Sequence, residues 1–307
     1  MANQEHLQQL IQGSEEWNQW RTQNSAATID LSYADLSQRK LIAANLQTAD
    51  LTGANLIGTT LTEANLHQAN LTQADLSGAD LNQVNLVQAN LAQANLLGAD
   101  LSASNLQQAN LARATLNRSD LSEANLSEVD LSAASLVGAE LSRVSLQAAN
   151  LQSAYLKRAD LQRSDLSQCN LVQADLTDAR LLNTNLDNAN LNQAILKGAR
   201  LNRATLVNAN LTEANLAGAT LLGADLTGAD LTGANLQASN FSGANLNQAN
   251  LSGQDLSSLN FTGASLKGTI LQNADLTQAI LTEVDLTAAD LTGAKLPGEL
   301  AFSQEEC

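Results

Sequence analysis

The chain has 307 residues, a formal net charge of −16, 44% hydrophobic content supplied mostly by Leu and Ala, only 2% aromatics and a single proline, Pro297. So acidic a composition excludes nucleic-acid binding through phosphate neutralisation, which needs a basic surface, and disfavours docking on an anionic membrane. It is too apolar for a disordered chain, yet too poor in Phe, Ile, Val and Met to fill an irregular core, so any interior must be regular.

Residues 1–25 come first and read as a helical cap. Leu7, Leu10, Ile11 and Trp17 sit at helical spacing, interrupted by Gly13-Ser14. Ser14 before Glu15-Glu16 has the look of an N-cap followed by acids in the first turn. One kinked helix or two short ones are predicted, with Trp17 and Trp20 packed over the start of the repeat that begins near Leu31. The first residues lack a basic segment leading into an apolar run, and no stretch reaches 18 apolar residues, so a cytoplasmic protein is expected.

From Leu31 to Leu296 every fifth residue is Leu, except Phe241 and Phe261, through 54 consecutive quintets without an insertion. Two places before each usually lies a small residue, Ala in 38 of the 54, then usually Asn or Asp; Ala44-Asn45-Leu46 and Ala79-Asp80-Leu81 are examples. A period of five fits neither helix nor strand. It requires a chain that turns a corner every five residues, and four corners close a coil of about 20 residues that stacks on the next at the ~4.8 Å strand spacing. Of 17 glycines, 16 fall two places after the Leu, and seven share one 20-residue phase: Gly58, Gly78, Gly98, Gly138, Gly198, Gly218 and Gly298. Since Gly suits the positive φ of a type II turn, one face is predicted to favour that turn. Stacking predicts Leu columns, tight Ala corners and an amide ladder along Asn45, Asn65, Asn85, Asn105 and Asn125.

The motif resembles that of the pentapeptide-repeat family, A(D/N)LXX, over residues 26–298, in its plain, loop-free form known from bacteria and abundant in cyanobacteria. The resemblance implies an all-β solenoid, a right-handed quadrilateral β-helix of about 13 coils. Pro297-Gly298 ends the repeat. The tail 299–307 offers Leu300 and Phe302 as end cover, or the C-terminal end meets a second copy, as in family members that dimerise there.

Nothing in the chain assembles a catalytic set. His6 and His67 are far apart and without a Cys partner, so a metal site is not expected; Ser-His-Asp sets, phosphate-cradling loops and clefts with paired carboxylates are likewise absent. Cys169 falls on an inward corner as a small filler, and Cys307 is terminal. No enzyme activity and no cofactor are expected.

Charge is the informative remainder. Asp80, Asp100, Asp120, Glu140 and Asp160 recur at 20-residue spacing and form a candidate partner-binding column, with Arg143 and Arg163 offsetting part of its repulsion; on the same line Arg180 and Arg200 later replace the acids. No Lys or Arg occurs from 41 to 112 or from 204 to 266, while Arg113, Arg118, Arg143, Lys157, Arg158, Arg163, Arg180, Lys197, Arg200 and Arg203 form a candidate central basic band. At 239–261, Gln254 and Leu259 stand where Ala is usual and Phe261 lies one coil after Phe241, which predicts a locally widened coil. The expected function is a non-enzymatic scaffold or regulator for a protein partner. The alternative, implied by the resemblance, is a DNA mimic that binds a type II topoisomerase such as gyrase and modulates or protects it.

Overall fold

The computed structural model of the chain describes residues 2–298. They fall in two compact units, Met1–Asp160 and Leu161–Cys307. The tail 299–307, and the end cover or dimer contact expected of it, lies outside the described residues.

Two short helices open the first unit: α1, Gln4–Leu10, and α2, Ser14–Gln23. Asn3 caps α1, its side chain accepting from the Glu5 and His6 amides. The cap of α2 is Gly13, not Ser14, which is already helical. Gly13 has φ +142°, a turn between helices that an L side chain disfavours, and this moves the boundary one residue earlier than the Ser-Glu-Glu pattern suggests.

Beyond the helices both units are built alike. Parallel bridges join residues 20 apart, such as Asn45 to Asn65 and Asp80 to Asp100 in the first unit, and Asn190 to Asn210 in the second. A turn follows every inward Leu, four to a coil. The Leu side chains are wholly buried, Leu101 and Leu211 for example, and the Ala corners beside them nearly so.

A regular quintet satisfies all five of its backbone N–H groups, and this accounts for the motif. In 69–73, Ala69 donates to the Leu66 carbonyl across the turn (2.9 Å), Asn70 to Ala49 (2.9 Å), and Leu71 and Gln73 to Asn90 and Ala92 (2.6 and 3.0 Å). The fifth donor, Thr72, turns back to Asn70 Oδ1 at 3.2 Å. Quintet 209–213 repeats the scheme, with Thr212 donating to Asn210 Oδ1 at 3.0 Å. Asn or Asp before the Leu is thus the acceptor of an Asx turn, and a buried amide left without it would cost about 1–3 kcal/mol. Ser or Thr one place after the Leu adds a hydroxyl to the same oxygen, as in Thr52 to Asp50.

At four quintets where the Asn or Asp is missing, a neighbouring coil supplies the acceptor. Ser135 cannot cap Val137, and Asn117 Oδ1 does so at 2.8 Å; Asp187 serves Val207, Asn202 serves Leu222, and Asn247 serves Lys267. The amide ladder expected along Asn45–Asn125 is accordingly sparse. Asn85 Nδ2 reaches Asn65 Oδ1 at 3.1 Å, but each oxygen in that column already accepts its own turn amide.

Turn geometry differs from the expectation that one face is special. Nearly every residue two places after the Leu has positive φ, Gly or not: Gln88 +57°, Arg113 +60°, Ala103 +55°, Gly78 +62°. Glycine therefore follows no face preference in conformation; it relieves a strain that all four corners carry. A left-handed residue with a Cβ costs about 1–2 kcal/mol, held in place by its amide, which donates to the next coil. Ala103→Gly is expected to raise stability by about 0.5–1 kcal/mol, read as an upward shift of the urea midpoint; an unchanged or lower midpoint would show that the corner is unstrained.

One place departs from the regular wall. Gln254 and Leu259, in corners sized for Ala, are buried, and beside them the cross-coil ladder opens into a cleft of about 560 Å3 lined by Ala234, Leu236, Ala238, Asp255 and Ser258 among others. The neighbouring coils part there, with no bridge between Asn235 and Asp255, and the expectation of a wall without clefts is corrected. Phe241 and Phe261 lie alongside, fully buried and stacked at 5.4 Å between centroids.

Candidate functional site

Asp80, Asp100, Asp120, Glu140 and Asp160 all lie in the first unit, bridged in register one coil apart. Four are half-buried and Glu140 is exposed. Their oxygens are partly committed to the wall. Asp80 accepts from the Asn82 amide and from Thr62 Oγ1, Asp100 from the Ser102 amide and hydroxyl, and Asp120 from the Ser122 amide. These bonds are structural, and the carboxylates still leave a regular line of negative charge on the surface.

The basic residues are exposed throughout. Arg113, Arg118, Arg143, Lys157 and Arg158 belong to the first unit, and Arg163, Arg180, Lys197, Arg200 and Arg203 to the second. Arg143 reaches Glu123 Oε1 at 3.0 Å, an ion pair outside the acidic column. Arg180 and Arg200 are bridged one above the other within the second unit, where the motif usually stacks Asn or Asp.

Exposed columns also run two places after the Leu. Gln68 donates to Gln88, Gln88 to Gln108, and Gln108 to Glu128, at 2.8–2.9 Å. In the second unit Gln173, Gln193 and Glu213 form a shorter chain of the same kind. The repeat spacing announces the columns, but that their amides align head to tail onto a carboxylate depends on rotamers the spacing does not fix.

The N-terminal helices were legible as cover through Trp17 and Trp20, which stack at 5.3 Å. Sequence reasoning missed His6, Asn18 and Arg21. His6 Nδ1 accepts the Asp30 amide at 3.2 Å, Asn18 Oδ1 accepts the Asn45 amide at 2.7 Å, and Trp17 Nε1 donates to the Asn45 carbonyl at 2.8 Å. Buried Arg21 reaches the Ala27 and Gln47 carbonyls, and burial pulls its guanidinium below the ordinary arginine value. These groups supply donors and acceptors that a preceding coil would give elsewhere. The signal was faint: polar side chains recurring at 14, 18 and 21 on the helix that carries Trp17.

Near the other end of the described chain, Lys295 donates to Asp275 Oδ2 at 2.9 Å, and together with the Thr277 hydrogen bond this holds the Asp275 carboxyl down to about 2. A depressed carboxylate stabilises the fold above its unfolded value of about 4 and loses that contribution as pH falls toward 2. Thermal midpoints of wild type and Lys295→Ala are therefore expected to differ at pH 6 and to converge near pH 2; a gap unchanged at low pH would sink the assignment.

Among the described residues no group of His, Cys, Asp or Glu is placed to hold a metal ion, and no helix is long and apolar enough to cross a membrane. What the geometry defines is a β-helix whose chemistry lies in repeated surface columns. The Pentapeptide repeats family matches in eight copies that run from 29–68 to 260–298, and the chain belongs to that family. A comparison with curated proteins finds no match. Among solved structures, the chain is similar to HetL of the cyanobacterium Nostoc, a pentapeptide repeat protein involved in heterocyst differentiation regulation: 35% identity, 74% of this chain and 95% of that one covered, TM-score 0.42. Rfr23 of the cyanobacterium Cyanothece is 37% identical over 36% of this chain and 85% of its own, TM-score 0.29. QnrB1, a plasmid-mediated fluoroquinolone resistance protein, is 20% identical over 89% of this chain and 91% of its own, TM-score 0.26.

Proposed function

We propose that the protein is a non-enzymatic scaffold or regulator that presents regular polar and acidic walls to a protein partner. The reading rests on the column Asp80, Asp100, Asp120, Glu140 and Asp160. Five acids bridged in register one coil apart repel one another, and a basic partner surface relieves that repulsion on docking. Exposed Arg113, Arg118, Lys157 and Arg158 in the same unit give such a partner a second, oppositely charged contact. The proposed protein is cytoplasmic and needs no cofactor; its helical cap covers 1–25, about 13 right-handed coils span 26–298, and a homodimer forms through the C-terminal end. Light scattering giving the monomer mass at micromolar concentration would remove the dimer.

The test replaces all five acids by Asn or Gln. Asn accepts the same turn amide, so the wall survives while the charge goes. Retention of bound proteins on the immobilised variant is expected to fall at least tenfold; full retention means that this column is not the docking face. The same line of charge supports a second reading, a DNA mimic for a type II topoisomerase. Inhibition of gyrase supercoiling, or protection from a quinolone, at micromolar protein would favour the mimic, and absence of both effects would end it.

A further inference from the structure

We propose that the opened seam between residues 233–238 and 252–257 is a binding site for an extended, cationic peptide segment of a partner protein, which enters as an added strand. On either side of the seam the ladder is intact. Leu216 and Gly218 donate to the carbonyls of Asn235 and Gln237 at 2.8 Å, and Leu256 donates to Asp275 at 2.8 Å. Asn215 bridges to Asn235 and Asp255 to Asp275, but no bridge joins Asn235 to Asp255. Among the described residues, the four bonds that the repeat would place here are missing: Gly233 to Ser252, Leu236 to Asp255, Ala238 to Ser257, and Asp255 back to Ala234.

The cause lies in two corners. Gln254 and Leu259 are 6% and 2% exposed where Ala is usual, and Gln254 Nε2 is tied to the Leu231 carbonyl at 2.9 Å. Their bulk wedges the two coils apart and leaves amides on one lip facing carbonyls on the other. Unpaired main-chain groups in a cleft are costly, and another main chain, with donors and acceptors alternating at strand spacing, pairs both lips at once. The cleft, about 560 Å3, falls in the size range of ligand sites. Charge selects the peptide. No Lys or Arg occurs from 204 to 266, whereas Glu213, Asp225, Asp230 and Asp255 do, with Asp255 exposed at the lip. This site is separate from the acidic column of the other unit, so either proposal stands if the other fails.

The experiment follows amide hydrogen exchange by NMR in the full chain, with acetyl-Lys-Thr-Val-Thr-Val-Lys-amide as probe. In the free protein the amides of Leu236, Ala238 and Asp255 are expected to exchange at least a hundredfold faster than those of Leu216 and Leu256, and saturating probe slows them at least tenfold. Gln254→Ala/Leu259→Ala restores the usual corners; it is expected to protect the three amides without probe and to weaken probe binding at least tenfold. The same peptide flanked by Glu should bind at least tenfold more weakly than the Lys form. Seam amides as slow as their neighbours in the free protein, no effect of the probe, or equal binding by the double variant would each overturn the proposal. So would seam amides that turn fast only when 299–307 are removed, since the chain's own tail would then be the occupant.

Discussion

Trp17→Ala is expected to destabilise the first unit by about 3–5 kcal/mol, the range for emptying a buried Trp site. The side chain is wholly buried, stacked on Trp20, and its Nε1–H is the donor to the Asn45 carbonyl. Truncation therefore removes apolar cover and leaves a carbonyl of the first coil without its partner. Because each coil contacts only its neighbours, loss at an end is expected to fray inward from that end. Two companions separate the contributions. Trp17→Phe keeps the ring but loses the donor, at about 1 kcal/mol, and Trp20→Ala, at a half-buried position, costs less than Trp17→Ala. Urea titrations followed by circular dichroism give the three values. A Trp17→Ala loss under about 1 kcal/mol would mean that the helices do not hold the first coil.

The contrast between Trp17 and Arg21 shows how far the sequence alone could be read. A Trp just before an unbroken Leu repeat announces a cover, since a β-helix end must be closed. An Arg four residues later looks like an ordinary solvated charge, and only the folded geometry places it against the carbonyls of Ala27 and Gln47. The same division runs through the wall. Period five, the inward Leu and the small corner are each dictated by packing, and packing is written in residue size. The role of Asn70 is not, because its size does not announce that one side chain serves two partners: Nδ2 donates to Thr52 Oγ1 of the preceding coil while Oδ1 accepts the Thr72 N–H. Turn conformation was misjudged for a related reason. Glycine counts report where strain has been relieved, and the equally left-handed Gln88 and Arg113 leave no mark in composition. At the seam, Gln254 and Leu259 stood out by size, yet whether excess bulk stretches a coil or parts it depends on how much the flanking ladder resists, which no local pattern encodes.

That resistance sets the other large effect, Leu101→Ala, expected to cost about 4–5 kcal/mol, the upper part of the range for a buried Leu. A core recovers part of such a loss by collapsing into the space. Here collapse is opposed on two sides. Leu81 donates to the Asp100 carbonyl at 2.6 Å and Leu101 to the Asp120 carbonyl at 2.7 Å, so the coil spacing is fixed by backbone bonds that a shrinking side chain does not loosen. The corners are no softer, because Ala99 is already the smallest side chain that packs there, and Ser104 donates its hydroxyl to the Leu101 carbonyl. Leu101→Met, which conserves volume, is expected to cost less than about 1.5 kcal/mol. Leu101→Phe is expected to cost more than Leu101→Met, since it adds volume to a column of Leu, whereas the inward Phe of the wall come as a pair, Phe241 stacked on Phe261. Denaturant midpoints for the three variants decide the matter. If Leu101→Ala costs no more than about 2 kcal/mol, the coils do close onto the void, and the backbone ladder is softer than its short bonds indicate.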